Sequence, residues 1–368
     1  MKVLLLSCNT GEGHNSAARA IAEELGRRGI ENVKVDPLSF LSEWIEKTTS
    51  HAYNSLIKHT PKAFGVMYKT ADIISETKVS SPVYYLRAGY AKKLHDYIVD
   101  NGFDAVISVH LFGMEAMAGV RKTTGLDIPF YGVMTDYTVY PFTAESKQDG
   151  YFASHPELAE ALAEKGIDPT IIHPTGIPVR AAFAETMPQS EAREYLDLPQ
   201  DKKMLLVMTG GVGCEPMLKL CDKVVEAAGG EAFACVMVGK NEDLRQKIEG
   251  RYGKNGAVRA IPFTTEVNLY MKAADVLITK PGGLSSTEAA VANVPLVHVR
   301  EIPGCETDNV RFFGTHGLSL AADSDEQAVE YALKLAHDPT AATAMRQAQR
   351  ATINPFAARD IVRIVCGK

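Results

Sequence analysis

Short apolar, strand-like runs alternate with helical patterns along this entire chain, and few folds accommodate that order. Strands are expected at Val3–Ser7, Val33–Asp36, Ala105–Val109, Phe130–Thr135, Gly150–Ala153 and Ile171–Pro174. A second series follows at Met204–Met208, Ala234–Val238, Val258–Ile261, Val276–Thr279 and Leu296–Val299. Helical segments between them predict an α/β chain with two parallel, doubly wound, Rossmann-like sheets. The stretch Pro174–Lys203, rich in proline and charge, separates the two series. A length of 368 residues suits two domains. The expected boundaries are residues 1–180, residues 181–345 and a terminal segment 346–368. Ligands in open α/β sheets bind at the carboxyl ends of the strands. Two such domains facing each other would enclose a central cleft with glycine loops on both sides.

Charge and cysteine usage narrow the function. A net charge of -6 argues against a nucleic-acid partner, which would need a basic surface. Cys8, Cys214, Cys221, Cys235, Cys305 and Cys366 are scattered, with neither a C-x-x-C pair nor zinc spacing. Reduced thiols in a cytoplasmic compartment are the expectation. The apolar run in "MKVLLLSCNTGEGH" is too short for a signal peptide or a membrane span. Any meeting with a membrane is expected from its surface.

Two glycine-rich turns carry the chemistry. The first, "SCNTGEGHNSAARAI" from Ser7 to Ile21, joins a strand to a helix N-terminus, a place that favours anions. It lacks the lysine of a Walker A loop. Gly11 and Gly13 fit the start of a dinucleotide fingerprint, but Ser16 holds its third glycine position. The loop instead offers His14. The second turn, in "DVLITKPGGLSSTEAAVANVPLVHV", runs from Thr279 through Lys280 to Gly282 and Gly283 and opens another helix. The amides of Gly283, Leu284 and Ser285 would be unpaired there, and a diphosphate would suit them. Glu288 has two readings: the second half of a capping box with Ser285, or a carboxylate for a ribose diol. Gly210 and Gly211, Phe263, and the "EIPGCETDN" loop with Glu306 and Thr307 lie near other strand ends. Together they describe a nucleotide-sugar site.

These stretches resemble a known family. "TKPGGLSSTEA", "IPGCETDN", "NTGEGHNSAARAI", "VMTDYTVYPF", "DGYFAS", "TGIPV" and "INPFAARDIV" are similar, in order, to segments of the monogalactosyldiacylglycerol synthase and processive diacylglycerol glucosyltransferase group. That group belongs to glycosyltransferase family 28, with the GT-B fold. The resemblance implies inverting transfer of a hexose from a uridine-diphosphate (UDP) sugar to a membrane lipid hydroxyl. It places the donor in the second domain and the acceptor in the first, and sends Asn354–Val365 back across to the first domain. It assigns diphosphate to Gly282–Ser285, ribose to Glu288 and the transferred sugar to Glu306 and its neighbours. Cys305 stands where many members have glutamine, and Tyr140 and Thr143 where they often have histidine and tryptophan.

An inverting transfer needs a base for the acceptor hydroxyl and stabilisation of the departing diphosphate. A helix N-terminus can supply the second, so neither metal nor other cofactor is expected. His14, whose ordinary pKa lies near neutrality, is the candidate base. Asp136 is either the alternative base or the group that orients His14. The segment from Trp44 to Tyr97 mixes tyrosines with lysines, among them Tyr53, Lys58, Lys62 and Tyr68. It suits either an interfacial patch on anionic lipid or an ordinary helical region with a basic face. The expected location is cytoplasmic, attached peripherally to the inner face of the cell membrane. Three other functions compete: a UDP-sugar epimerase, a transferase acting on a polyprenyl-linked peptidoglycan precursor, and a non-catalytic UDP-sugar sensor.

Overall fold

The computed structural model describes residues 1–8, 12–41, 82–209, 214–254, 256–299 and 305–367. They form two six-stranded sheets, parallel at every pairing. The first holds β1 (Lys2–Leu6), β2 (Glu31–Val35), β3 (Ala105–Ser108), β4 (Phe130–Val133), β5 (Gly150–Phe152) and β6 (Ile172–His173). The second holds β7 (Lys203–Met208), β8 (Ala232–Gly239), β9 (Val258–Pro262), β10 (Val276–Thr279), β11 (Leu296–Val299) and β12 (Leu320–Ala322). Eleven of these strands were expected from apolar runs. The twelfth, β12, a three-residue edge strand beyond β11, was not expected.

Chain contacts group the protein into two units. One is Met1–Ala181 with Ile302–Asp308 and Asn354–Lys368; the other is Ala182–Glu301 with Asn309–Ile353. In the first unit the strand order is β2-β1-β3-β4-β5-β6, so the winding reverses between β1 and β3. In the second it is β12-β11-β10-β7-β8-β9, so it reverses between β7 and β10. At such a reversal the flanking connections leave in opposite directions and open a crevice at the strands' carboxyl ends. The order of each sheet therefore names a place for a site before any side chain is considered.

Val3 to Leu6 of β1 are fully buried. Each such aliphatic side chain contributes about 1.5–3 kcal/mol when removed from water. Tyr90, Leu94 and Ile98 of the helix Pro82–Asp100 join Leu4, Leu6, Val106 and Phe112 in one core cluster. Tyr90 is completely covered, and Tyr97 packs between Phe40 and Phe103 at ring separations of 5.4 and 5.8 Å. Tyr90 is a core residue, so it is no part of a lipid-facing patch, whereas Tyr97 is only partly buried against that core. The C-terminal segment belongs to the first unit. Asn354 Nδ2 donates to the Thr175 carbonyl at 2.8 Å, and the helix Ala357–Cys366 lies against the helix Glu12–Arg27.

One close approach sets the geometry near β3. The helix Leu111–Thr124 comes so near the sheet that a Cβ at Gly113 would lie 2.3 Å from Ser108 Oγ and 3.0 Å from Leu6 Cβ. Ser108 Oγ itself donates to the His110 carbonyl at 2.8 Å. Gly113→Ala is expected to cost about 1–3 kcal/mol through overpacking. Urea denaturation measures it, and an unchanged midpoint would show that the helix moves freely.

Candidate functional site

In the first unit the site begins at the β1/β3 reversal. The helix after β1 starts at Glu12, so Gly13 and His14 already lie in its first turn. Asn15 fixes that turn: its Oδ1 accepts from Ser7 Oγ at 3.0 Å and from Lys34 Nζ at 3.1 Å. His14 Nδ1 lies 2.9 Å from the carbonyl oxygen of Val109, the residue following β3 by one. A carbonyl only accepts, so Nδ1 carries the proton in that contact and Nε2 of the neutral ring keeps its lone pair. Nε2 has no hydrogen-bond partner among the described residues. Thr135 Oγ1, in the loop after β4, shares the Nδ1 proton at 3.1 Å.

A second imidazole stands beside the first. The His110 ring meets His14 edge to face, with centroids 4.5 Å apart and an interplanar angle of 78°. His110 caps the helix Leu111–Thr124, its Nδ1 accepting from the Phe112 amide at 3.1 Å. Burial pushes the His110 pKa well below its ordinary value, and the neighbouring His14 adds to that. Burial also lowers the His14 pKa; the charge of Asp136 and the Val109 hydrogen bond oppose the shift in part. Asp136 makes no hydrogen bond to His14 and receives one from the Tyr140 hydroxyl at 2.5 Å. His110, Thr135 and Tyr140 complete a constellation of which sequence reasoning singled out only His14 and Asp136 as chemical groups. A histidine between the end of β3 and a helix start was the one available signal, and it pointed to His110.

In the second unit the turn after β10 stands at the β7/β10 reversal. The helix Gly283–Val291 has Gly282 as its N-cap, and no side chain caps it. Ser285 is the third helical residue, so it cannot cap, and the capping-box reading of Ser285 with Glu288 does not hold. Glu288 lies in the second turn, 7% exposed. Gly282 has φ -73°, a value open to any residue, and a Cβ there would meet nothing within 4 Å. The protein's own packing therefore does not require a glycine at this position, whereas close approach of a ligand would.

The surroundings hold this turn firmly. Thr279 is 1% exposed and its hydroxyl donates to the Met208 carbonyl at 2.6 Å. Thr279 thus ties β10 to β7 instead of facing a ligand. Leu284 is buried, while Lys280 and Ser285 are partly exposed. Asn309 Nδ2 donates to the Pro281 carbonyl at 2.8 Å. His298 on β11 is buried between Ser286 Oγ at 2.9 Å and Ser319 Oγ at 3.1 Å. Burial pushes its pKa down to about 3, so it serves as a neutral link from β11 to the helix. Phe263, after β9, is 56% exposed, with Lys240 Nζ 5.6 Å from its ring centre. Glu306, buried, and Thr307, exposed, occupy the first turn of the helix Cys305–Thr315 and group with the first unit, not with this turn. Gly11, Gly210, Gly211, Trp44, Tyr53, Lys58, Lys62 and Tyr68 lie outside the described residues.

Comparison with known proteins now bears on this geometry. Residues 14–179 match the family described as monogalactosyldiacylglycerol (MGDG) synthase, and residues 204–360 match the glycosyltransferase family 28 C-terminal domain. The chain is 28% identical over 340 residues to the processive diacylglycerol beta-glucosyltransferase of Bacillus subtilis (strain 168), covering 92% of this chain and 87% of that one. Among solved structures, the S. aureus MnaA–UDP complex superposes with a TM-score of 0.65 at 15% identity, covering 99% of this chain and 95% of that one. Acinetobacter baumannii MurG superposes with a TM-score of 0.63 at 15% identity, covering 100% and 99%. At that identity the two structures establish the fold, which is GT-B.

Two measurements check the site. The His14 imidazole is expected to titrate below its ordinary value of 6.5, because burial outweighs the pull of Asp136. An NMR titration midpoint above 6.5 would refute that balance. Gly282→Ala is expected to leave the melting temperature unchanged while weakening UDP binding about tenfold or more, read by calorimetry. Unaltered affinity would show that no ligand approaches Gly282.

Proposed function

We propose, from a chain that belongs to the monogalactosyldiacylglycerol synthase and processive diacylglycerol glucosyltransferase group of glycosyltransferase family 28, that this protein is an inverting glycolipid-synthesising transferase. It moves a hexose from a UDP-sugar to the hydroxyl of a membrane lipid, diacylglycerol or a glycosyl-diacylglycerol. The observation that carries this reading is the union, in one chain, of the synthase match over residues 14–179 with the family 28 domain over residues 204–360.

The residues account for each step. His14 Nε2 takes the proton from the acceptor hydroxyl as that oxygen bonds to the anomeric carbon. The bond from that carbon to the diphosphate breaks, and UDP leaves with the electron pair. Attack on the face opposite the leaving group inverts the configuration. His14 is suited to this because Nδ1 is held by Val109 and the ring is neutral at pH 7. Asp136 stabilises the imidazolium that forms. In the second unit the helix N-terminus at Gly283, Leu284 and Ser285 offers backbone amides and the positive end of a dipole to the diphosphate. That stabilisation calls for no metal or other cofactor. Glu288 accepts hydrogen bonds from the ribose diol, Phe263 offers a face to the base, and Glu306 with Thr307 contacts the transferred sugar.

A lipid acceptor sets the place of work. No helix among the described residues is long and apolar enough to cross a membrane. The reading is of peripheral attachment to the inner face of the cell membrane, at an anionic lipid surface, supplied with cytoplasmic UDP-sugar.

The test incubates purified protein with diacylglycerol vesicles and UDP-glucose, UDP-galactose or UDP-N-acetylglucosamine in turn, and weighs the lipids by mass spectrometry. A gain of one or more sugars is expected with one of the hexose donors. Conversion of the donor sugar without any lipid product would identify an epimerase instead. His14→Ala is expected to lower transfer at least a hundredfold while UDP affinity stays within about twofold. Glu288→Ala is expected to weaken UDP binding about tenfold or more by removing a charged hydrogen-bond acceptor.

A further inference from the structure

The link between His14 and Asp136 runs through two hydroxyl groups. His14 Nδ1 donates to Thr135 Oγ1 at 3.1 Å while also donating to the Val109 carbonyl. Thr135 Oγ1 lies 3.0 Å from the Tyr140 hydroxyl, which in turn donates to Asp136 Oδ2 at 2.5 Å. A carboxylate only accepts, so the single Tyr140 hydroxyl proton is committed to Asp136. The Tyr140 oxygen must then accept from Thr135, and the Thr135 oxygen from His14. Every proton in the chain points the same way, from the imidazole to the carboxylate. Thr135 is 2% exposed, so bulk water does not replace its bonds. The Tyr140 backbone is clamped as well: its carbonyl accepts from the Thr143 amide at 3.2 Å and from the Thr143 hydroxyl at 2.8 Å. Thr143 is itself 1% exposed.

We propose that Thr135 and Tyr140 are positioning residues, whose aligned hydroxyls connect the His14 imidazole to the Asp136 carboxylate and keep Nε2 turned toward the acceptor hydroxyl. This rests on His14 being the base. Neutral hydrogen bonds in an unbroken, uniformly oriented series polarise one another. When Nε2 gains a proton, the Nδ1 proton becomes a stronger donor, and the chain passes that polarisation to the carboxylate. The imidazolium is stabilised without a buried His–Asp contact. The ring cannot flip, because Nδ1 is bound on two sides while Nε2 faces away from both. The titratable groups acting on His14 are His110 from the loop after β3, whose ring packs against it, and Asp136 from the loop after β4, while Tyr140 reaches it through Thr135. His110, held neutral by burial, adds no charge near neutral pH.

The test compares wild type with Tyr140→Phe, Thr135→Val and the double variant, using hexose transfer to diacylglycerol vesicles across pH 5 to 9. Melting temperature and UDP affinity are measured alongside. Each single variant is expected to lose about ten- to hundredfold in kcat, as when a hydrogen bond to a charged group is lost. UDP affinity and the melting temperature are expected to change little. The sign of the pH effect follows from the chain: without the carboxylate's help the imidazolium is less stable, so the acid limb of the kcat profile moves to lower pH. The double variant is expected to lose no more than the worse single one, because one break interrupts the whole chain. An unchanged kcat and acid limb in Tyr140→Phe, with His14→Ala inactive, would overturn the chain and leave the base assignment standing. A fully active His14→Ala would overturn both. Losses that multiply in the double variant, or that track a fallen melting temperature with the acid limb unmoved, would make the two hydroxyls merely structural and overturn the proposal.

Discussion

The hydrogen bond between His14 Nδ1 and the Val109 carbonyl joins the element after β1 to the element after β3, across the point where the first sheet reverses its winding. Much of the first unit's chemistry depends on it. It decides the tautomer, and the tautomer decides which nitrogen can act as a base. It anchors the ring in a half-buried place where the charged form is disfavoured, which favours the neutral imidazole. The bond exists only because Val109 and His14 leave neighbouring parallel strands at their carboxyl ends. Residues 95 positions apart thereby meet at 2.9 Å.

The same constraint operates in the second unit with a different residue set. There the winding reverses between β7 and β10, and what stands at the reversal is a helix N-terminus. Gly282 as N-cap brings no side chain to cap the helix start, Thr279 ties the strand end to β7, and Asn309 and His298 brace the turn and its helix. A fixed array of donors costs little to reorganise when charge arrives on a leaving group, and this is the ordinary basis of electrostatic stabilisation in such sites. The two units thus use one topological device with different groups: one sets an imidazole at the reversal, the other a helix N-terminus.

The closeness of Gly113 to Ser108 and Leu6 belongs to this arrangement. It brings the helix Leu111–Thr124 down onto the sheet, and that helix is capped by His110, the imidazole packed against His14. Packing in the core and geometry at the site are therefore coupled through one small residue.

Much of this was written in local order along the chain. Eleven strands were legible as short runs along the chain, most plainly the apolar central ones such as β1 and β10, while β12, a three-residue edge strand, was missed. The turns at His14 and at Gly282–Ser285 were legible because glycine next to a helix start is a local signal. Glu288 stayed ambiguous, since a capping box and a ligand carboxylate share one spacing. The observed helix start, with Gly282 as cap and Ser285 three residues on, removed the capping-box reading. The tyrosines were misleading in the same way. Composition put Tyr90 in a segment that could be interfacial, but burial is a property of what packs against a residue, and the core covers it. The Thr135–Tyr140 chain had no local signature at all. Its inner links depend on the path of the loop after β4, and its link to His14 on strand register, which arises only when the sheet is assembled.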